Sequence, residues 1–548
     1  MDTKSLVIGW DGGSFNVLDR MLQKQIMPNL STLIKSGVRA HFLSTVPPIT
    51  APAWTSFRTG KSPENHGIFS FFKPPAGSPD IKNIERHDAT SIRSQTFWNI
   101  LNINSKETFI LDMPLTDPVE QIDGIMISGM MTRGKRGVLA YPDSIIEELT
   151  RTFPDYFQKA LTDGIDLTAA FLEQLILTLE WKKESDLYLM KKYPWHCFVT
   201  IFSAVDLLQH YFWKFIDPES ATYQPKPGIS EKIDRFFNTL DDILGQYLRQ
   251  IGENDSVYIV SDHGFGPANY SVNVNNILEQ AGYLKVRSVK SNLKTYLFNP
   301  RTVKRILKKL DILHLRAKIK KELREQLKNT LLKEDLAVDW SQTKAYFRTN
   351  SEEGIYINRA DKFQCGSVPP ADYGKYVDLI VEKLTRVTNP DNNEKVFEFV
   401  TRRDDFYNGI FKNDAPDIIL RPAKGHTLTA YNFNGRLVEP YNNPFLSGVH
   451  DRAGIFIAKG PAFKRNFQLD SIKIEDFVPI LLHTMQIPIP CGLDGEVRLE
   501  IFEDDFVNSH PIVCKEYSGQ APKNFQGQDE KPNEEEIKKR LAQLGYID

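Results

Sequence analysis

Three aspartates, three histidines and one threonine in this chain stand where polar side chains can do chemistry. "VIGWDGG" ends an apolar run at Asp11 and turns on two glycines. "AVDLLQHYFW" spaces Asp206 and His210 four apart, which on a helix sets both on one side, ready for a single cation. "IVSDHGFG" places Asp262 and His263 directly after an apolar run, and "SGVHDRAGIFIAKGP" puts His450 just before another. Imidazole nitrogens with carboxylate oxygens are a donor set for Zn²⁺ or a similar transition metal, and two ions need about this number of ligands. Singly, each has an ordinary explanation: a turn aspartate, a surface pair, a structural histidine. Together they favour metal-assisted chemistry.

The threonine lies in "VPPITAPAWTSFRTGKSPENHGIF", Val46 to Phe69. Pro47 and Pro48 cannot continue a central strand, because they donate nothing to its ladder. Thr50 then falls at the expected cap of a helix, with Pro52 in its first turn and Gly60 at its end. An ordinary capping threonine is the simplest reading of that residue alone.

The elements that must position these groups are short apolar runs ending in polar or glycine residues. The clearest are 5–11, 107–114, 195–206, 255–266 and 451–461, with helical patterns between them. Near-continuous apolar strands alternating with helices predict an α/β fold whose mostly parallel central sheet is covered by helices on both faces. Ligands of such sheets gather at the carboxyl ends of the strands. His66 reads as ordering the turn after the threonine helix, Met130 and Met131 as packing, and the basic loop residues Arg133, Lys135 and Arg136 as solvated.

The order Asp, Thr, Asp-x-x-x-His, Asp-His, His resembles that of the alkaline phosphatase superfamily, and within it the type I phosphodiesterase/nucleotide pyrophosphatase branch. "TAPAWTSFRTGKSPENHGIF", "EEGIYINRADKF" (352–363) and "GIFIAKGP" resemble the predicted phosphohydrolase or phosphomutase proteins of that group, over most of residues 1–510. The resemblance implies an alkaline phosphatase-like sheet and two divalent ions, Zn²⁺ first and Mn²⁺ second. It assigns one ion to Asp206, His210 and His450, and the other to Asp11, Asp262 and His263 with the Thr50 hydroxyl beside it. His426 in "AKGHTLTA" is the rival for the last ligand. Thr50 matches the threonine nucleophile of the nucleotide pyrophosphatases, which implies a phosphothreonine intermediate later hydrolysed by water. Sulfatases would need Cys or Ser-x-Pro-x-Arg there, and this chain reads Thr50-Ala51-Pro52-Ala53. Where the pyrophosphatases carry an asparagine that touches phosphate, this chain has Phe71 in "HGIFSFF", so nucleotide preference is not implied. The expected activity is hydrolysis of a small or lipid-linked phosphodiester or pyrophosphate. The alternatives are a phosphomonoesterase or phosphomutase on the same site, or an inactive scaffold.

Bulk properties narrow the field further. The chain has 548 residues, 41% of them hydrophobic and 25% charged, in the range of soluble globular proteins. A net charge of −2 gives no reason to expect a nucleic-acid polymer as partner. Cys197, Cys365, Cys491 and Cys514 form no CxxC pair and read as reduced thiols. With no leader-like or membrane-spanning run, a cytoplasmic location is the expectation. The catalytic domain is expected over 1–284 and 338–514, interrupted at 285–337 by a basic helical insertion. From Lys285 to Lys333 there are sixteen Lys or Arg against three acidic residues, and Ile312, Leu315, Ile319, Leu323, Leu327 and Leu331 recur at helical spacing. Such a segment is a solvated face, a lid over an anionic substrate or a dock on an anionic membrane. Residues 515–548 read as a polar tail closed by a short helix.

Overall fold

The structure, a computed structural model, describes residues 3–79, 84–130, 132, 139–153, 169–286, 338–430, 435–443, 445–517, 524–526 and 541. Its centre is a nine-stranded sheet. The strands are β1 (Ser5–Trp10), β2 (Val38–Leu43), β3 (Thr108–Met113), β4 (Gly124–Ser128), β5 (Ala140–Tyr141), β6 (Cys197–Phe202) and β7 (Ser256–Val260). After a short strand β8 (Gly264–Pro267) and its partner β9 (Gly448–Asp451), the sheet is completed by β10 (Ala453–Lys459) and β11 (Phe467–Lys473). In space the order is β11-β2-β10-β7-β1-β6-β3-β4-β5.

β1 shows why the sheet is central. All six of its residues are buried, and alternation sends Leu6, Ile8 and Trp10 to one face and Val7 to the other. The first face is covered by the helices Phe15–Gln23, Ala169–Lys192, Ala204–Ile216 (α2) and Pro227–Leu248. The opposite face carries Thr50–Thr59 (α1), Phe97–Ile103 and Phe477–Thr484. α1 begins after the Pro47-Pro48 break and ends on Gly60, whose φ of +64° is the left-handed C-cap that glycine adopts without strain.

The mostly parallel sheet predicted from sequence is present, with two strands reversed. β5 runs against β4, and β10 runs against both β2 and β7. An apolar run carries no sign of its direction, so the reversal of β10 was not legible in "AGIFIAK". Its consequence matters. The beginning of β10, not its end, lies at the carboxyl edge of the parallel strands, and His450 reaches that edge from β9.

A third core lies under two smaller sheets, one of Tyr270–Asn273, His426–Thr429 and Val438–Pro440, the other of Ala345–Phe347, Gly354–Ile357, Phe397–Arg402 and Ile418–Pro422. The basic segment joins this region, but beyond Val286 its helical pattern lies outside the described residues, as do Met131, Arg133, Lys135 and Arg136. The two flanks of the segment meet: Val286 bridges Val338, and the Asp339 N–H donates to the Lys285 carbonyl at 2.8 Å. Phe525–Gln526 pairs with Val119–Glu120, and Leu541 is buried among Ile49, Ala51 and Phe71. All four cysteines are free. No helix of the described residues is long and apolar enough to cross a membrane.

Candidate active site

All but one of the singled-out residues sit where the chain leaves a strand of the sheet for a turn or helix; His450 lies on the short β8–β9 ladder. Asp11 follows β1 on a turn closed by the Gly13 N–H to the Trp10 carbonyl at 2.7 Å. Asp206 and His210 occupy successive turns of α2, just after β6. Asp262 and His263 lie between β7 and β8. His450 pairs with Phe265 across the β8–β9 ladder. Thr50 opens α1 after β2. Three parallel strands, one helix start and one short ladder therefore deliver seven side chains to one edge.

The structure brings them together. Nε2 of His263 lies 3.3 Å from Asp262 Oδ2, 3.7 Å from Asp11 Oδ1 and 3.5 Å from Thr50 Oγ1. Asp206 Oδ1 lies 3.3 Å from His450 Nε2 and 3.4 Å from His210 Nε2, and those two nitrogens are 3.0 Å apart. The His263 and His450 rings stack at 3.6 Å between centroids and join the two groups. Asp206, His263 and His450 form one set within reach of a common cation, and Asp11, Asp262 and His263 another. His426, the rival ligand, stacks on Tyr270 and faces Asn389 instead.

The chemistry of these atoms is that of acceptors. Nδ1 of His450 faces the Pro48 carbonyl at 2.9 Å, Nδ1 of His263 the Gly264 carbonyl at 3.1 Å, and Nδ1 of His210 the Gly448 carbonyl at 3.3 Å. Carbonyl oxygens only accept, so each Nδ1 carries the proton and donates it, and in the neutral rings Nε2 presents a lone pair. Asp11 Oδ1, Asp206 Oδ1 and Asp262 Oδ2 are buried without a hydrogen-bond partner. An unsatisfied buried polar atom costs on the order of 1–3 kcal/mol, and more when charged. Three such oxygens facing three imidazole lone pairs repel one another unless positive charge lies between them. The residues fit divalent cations, and the mixed nitrogen and carboxylate set suits Zn²⁺ among them.

The protonation tendencies follow from the same crowding. Burial, and then the charges of Asp262 and Asp206, push the Asp11 carboxyl well above its ordinary range. Burial pushes Asp262 up to about 7. Burial raises Asp206 as well, and only a second proton on His210 or His450 would hold that carboxyl below the usual range. Burial lowers His263 to about 4, and burial with the neighbouring His263 lowers His450 to about 3, so both rings stay neutral as ligands require.

Thr50 is not the cap of its helix. The extended N-cap residue is Ile49, and Thr50 is the first helical residue, 1% exposed, with its hydroxyl turned toward His263. The expectation of a capping threonine was one residue out of register, because Pro52 is compatible with either start. His66 does order the following turn. It accepts the Ile68 N–H on Nδ1 at 3.1 Å, so Nε2 carries the proton and donates to Ser56 Oγ at 2.9 Å. Phe71 is buried with Ile49, Ala51 and Ile68, and Met130 packs against the same cluster.

Two positioning contacts have no signature in spacing. Trp54 Nε1–H donates to Asp11 Oδ2 at 3.4 Å, and Gln209 Nε2 donates to the Gly12 carbonyl at 2.6 Å, while the Gly12 N–H donates to Asp262 Oδ1 at 3.1 Å. Gly12 must be glycine here: its φ is +68°, and a Cβ would come within 2.6 Å of the Phe265 ring. The only hint in the sequence is the position of Gln209 between two ligand candidates.

With this arrangement in view, the sequence profile of the type I phosphodiesterase / nucleotide pyrophosphatase family matches residues 5–451. The chain belongs to that family. It is accordingly a phosphoester hydrolase of the phosphodiesterase or nucleotide pyrophosphatase type, within the alkaline phosphatase superfamily. Among solved structures it is similar to human ectonucleotide pyrophosphatase / phosphodiesterase 5, at 15% identity and a TM-score of 0.50, covering 91% of this chain and 100% of that one. Phosphonoacetate hydrolase from Sinorhizobium meliloti 1021 is also similar, at 12% identity and a TM-score of 0.49, covering 87% and 94%. At such identity the first likeness shows the shared fold. No curated protein matches the chain.

Proposed function

We propose that this protein hydrolyses a phosphodiester or pyrophosphate bond through a phosphothreonine at position 50, with two divalent cations held by its six acidic and imidazole side chains. The observation that supports this reading is the gathering of three aspartate oxygens without a hydrogen-bond partner and three imidazoles beside one buried hydroxyl. Asp206, His210 and His450 hold one cation, and Asp11, Asp262 and His263 hold the other. Bound there, divalent cations favour the alkoxide form of a hydroxyl and neutralise charge on phosphoryl oxygens.

The chain's own residues do the rest. α1 directs the positive end of its dipole and its first-turn N–H groups toward an anion at Thr50. The Thr50 Oγ1 bond to phosphorus forms as the bond to the leaving oxygen breaks, and the hydroxyl proton departs with that leaving group. Water then attacks the phosphorylated threonine, which still carries the substrate's second ester group, releases a phosphate monoester and restores the hydroxyl. Burial of Thr50 and of the aspartates keeps bulk water from competing with their contacts. The substrate is a small or lipid-linked phosphoester. Phe71, held in the apolar cluster, offers no polar group to the phosphate where nucleotide-hydrolysing relatives carry an amide.

The test is hydrolysis of bis(p-nitrophenyl) phosphate by protein reconstituted with Zn²⁺ or Mn²⁺, followed by trapping of the p-nitrophenyl phosphoryl group on Thr50 by acid quench and mass spectrometry. That group found on Thr50 supports the reading. Turnover with no phosphoryl group on Thr50, or full activity in Thr50→Ala, overturns it.

A further inference from the structure

Trp54 is completely buried on α1, one turn after Thr50, and its indole N–H reaches Asp11 Oδ2 at 3.4 Å. The i, i+4 spacing puts the Thr50 hydroxyl and the Trp54 ring on one face of the helix. The ring is fitted closely. A Cβ on Gly9 would lie 2.7 Å from Trp54 Cη2, so the strand keeps a glycine where the indole passes, and Phe57 meets the ring edge-on at 5.0 Å between centroids. Gly9 in "VIGWD" and Trp54 in "TAPAW" are therefore matched parts of one contact.

That contact divides the work of the Asp11 carboxylate. Oδ2 is held by the indole, while Oδ1 is buried with no hydrogen-bond partner, 3.7 Å from His263 Nε2. Asp262 is divided in the same way: the Gly12 N–H holds Oδ1, and Oδ2 is left bare 3.3 Å from the same nitrogen. In both cases the holding donor is neutral. A lysine or arginine in its place would cancel the charge that attracts a cation, whereas an indole or a peptide N–H fixes the rotation of the carboxylate and leaves its charge in place.

We propose that Trp54 is a positioning residue: its indole N–H holds one oxygen of Asp11 so that the other is presented to the cation of the Asp11–Asp262–His263 group, in fixed register with Thr50. This rests on the two-cation reading above. Packing alone would require the ring and its volume; positioning requires the N–H.

The experiment titrates metal-free protein with Zn²⁺ by calorimetry, comparing wild type, Trp54→Phe, and protein carrying benzothienylalanine at position 54, which keeps the shape of tryptophan and replaces the N–H by sulfur. Thermal unfolding of each metal-free protein reports folding. Wild type takes up two Zn²⁺ per chain, and both altered proteins bind one of the two about 10- to 100-fold more weakly, as loss of a partner behind a metal ligand does elsewhere. Two Zn²⁺ bound with unchanged affinity in the benzothienylalanine protein overturns the role of Trp54 while leaving the two-cation reading intact. No Zn²⁺ uptake by wild type overturns that reading, and this proposal with it. Should Trp54→Phe not fold, the isosteric analogue alone decides.

Discussion

Two buried acidic clusters lie on the same central sheet and are built on opposite terms. Behind β6, Asp186 accepts from Thr200 Oγ1 at 2.6 Å and from Tyr247 Oη at 2.8 Å, with Lys182 Nζ at 3.6 Å. Each of these three brings a proton or a positive charge. At the carboxyl edge, Asp11, Asp206 and Asp262 face one another and three imidazole lone pairs, and one oxygen of each has no hydrogen-bond partner. A buried acid that serves the fold is satisfied by the fold. One that serves a ligand need not be satisfied by the fold, and acceptors so placed suit the cations proposed above.

The largest expected break in this contrast comes from the hydroxyl beside the incomplete cluster. Thr50→Ala lowers turnover of bis(p-nitrophenyl) phosphate by on the order of 10³-fold or more, as loss of a covalent nucleophile does. Metal analysis of the same variant returns the wild-type ratio, because the six proposed ligands are untouched. Next, Asp262→Asn combined with His263→Ala lowers bound metal from two ions per chain toward one. An unchanged ratio would remove those residues from the ligand set.

The comparison can be sharpened by making one substitution in each cluster of the metal-free protein. Asp186→Asn costs about 1–3 kcal/mol, since it disturbs donors already committed to a carboxylate. Asp262→Asn goes the other way. A carboxyl raised to about 7 by burial makes the fold less stable as pH rises from its ordinary range through 7, because ionisation is easier in the unfolded chain. Removing the charge at pH 8 therefore raises the melting temperature of the metal-free protein, and equal losses in the two variants would erase the distinction.

The smallest effect concerns a satisfied histidine. His66 is fully buried and burial lowers its basicity well below the ordinary value. Its contribution to stability is complete above about pH 6.5 and falls as pH drops, at up to about 1.4 kcal/mol per pH unit, since only the unfolded chain takes up the proton. His66→Gln flattens the acid limb of a denaturation profile, and an unaltered slope would contradict that account.

Much of this was legible because the site residues stand next to the apolar runs that make the sheet. Asp11 ends β1, Asp206 follows β6 and Asp262 follows β7, so the strand pattern alone carries them to one edge. Gly60 marked the end of α1, since only a residue tolerant of φ +64° closes it. What was not legible is whatever depends on pairs distant in the chain. The reversal of β10 is decided by its pairing with β2 and β7, not by its composition. The contacts of Trp54 with Asp11 and of Gln209 with Gly12 join residues 43 and 197 positions apart, and no local spacing announces them. The carbonyls of Pro48, Gly264 and Gly448, which fix the histidine tautomers, are backbone atoms that any sequence would supply.

Anomalous diffraction from a crystal of the Zn²⁺-reconstituted protein, recorded on both sides of the zinc absorption edge, addresses the central claim most directly. The account predicts two zinc peaks, one among Asp206, His210 and His450 and the other among Asp11, Asp262 and His263 with the Thr50 hydroxyl adjacent. No zinc peak at this edge of the sheet, or zinc bound only elsewhere on the chain, would contradict it.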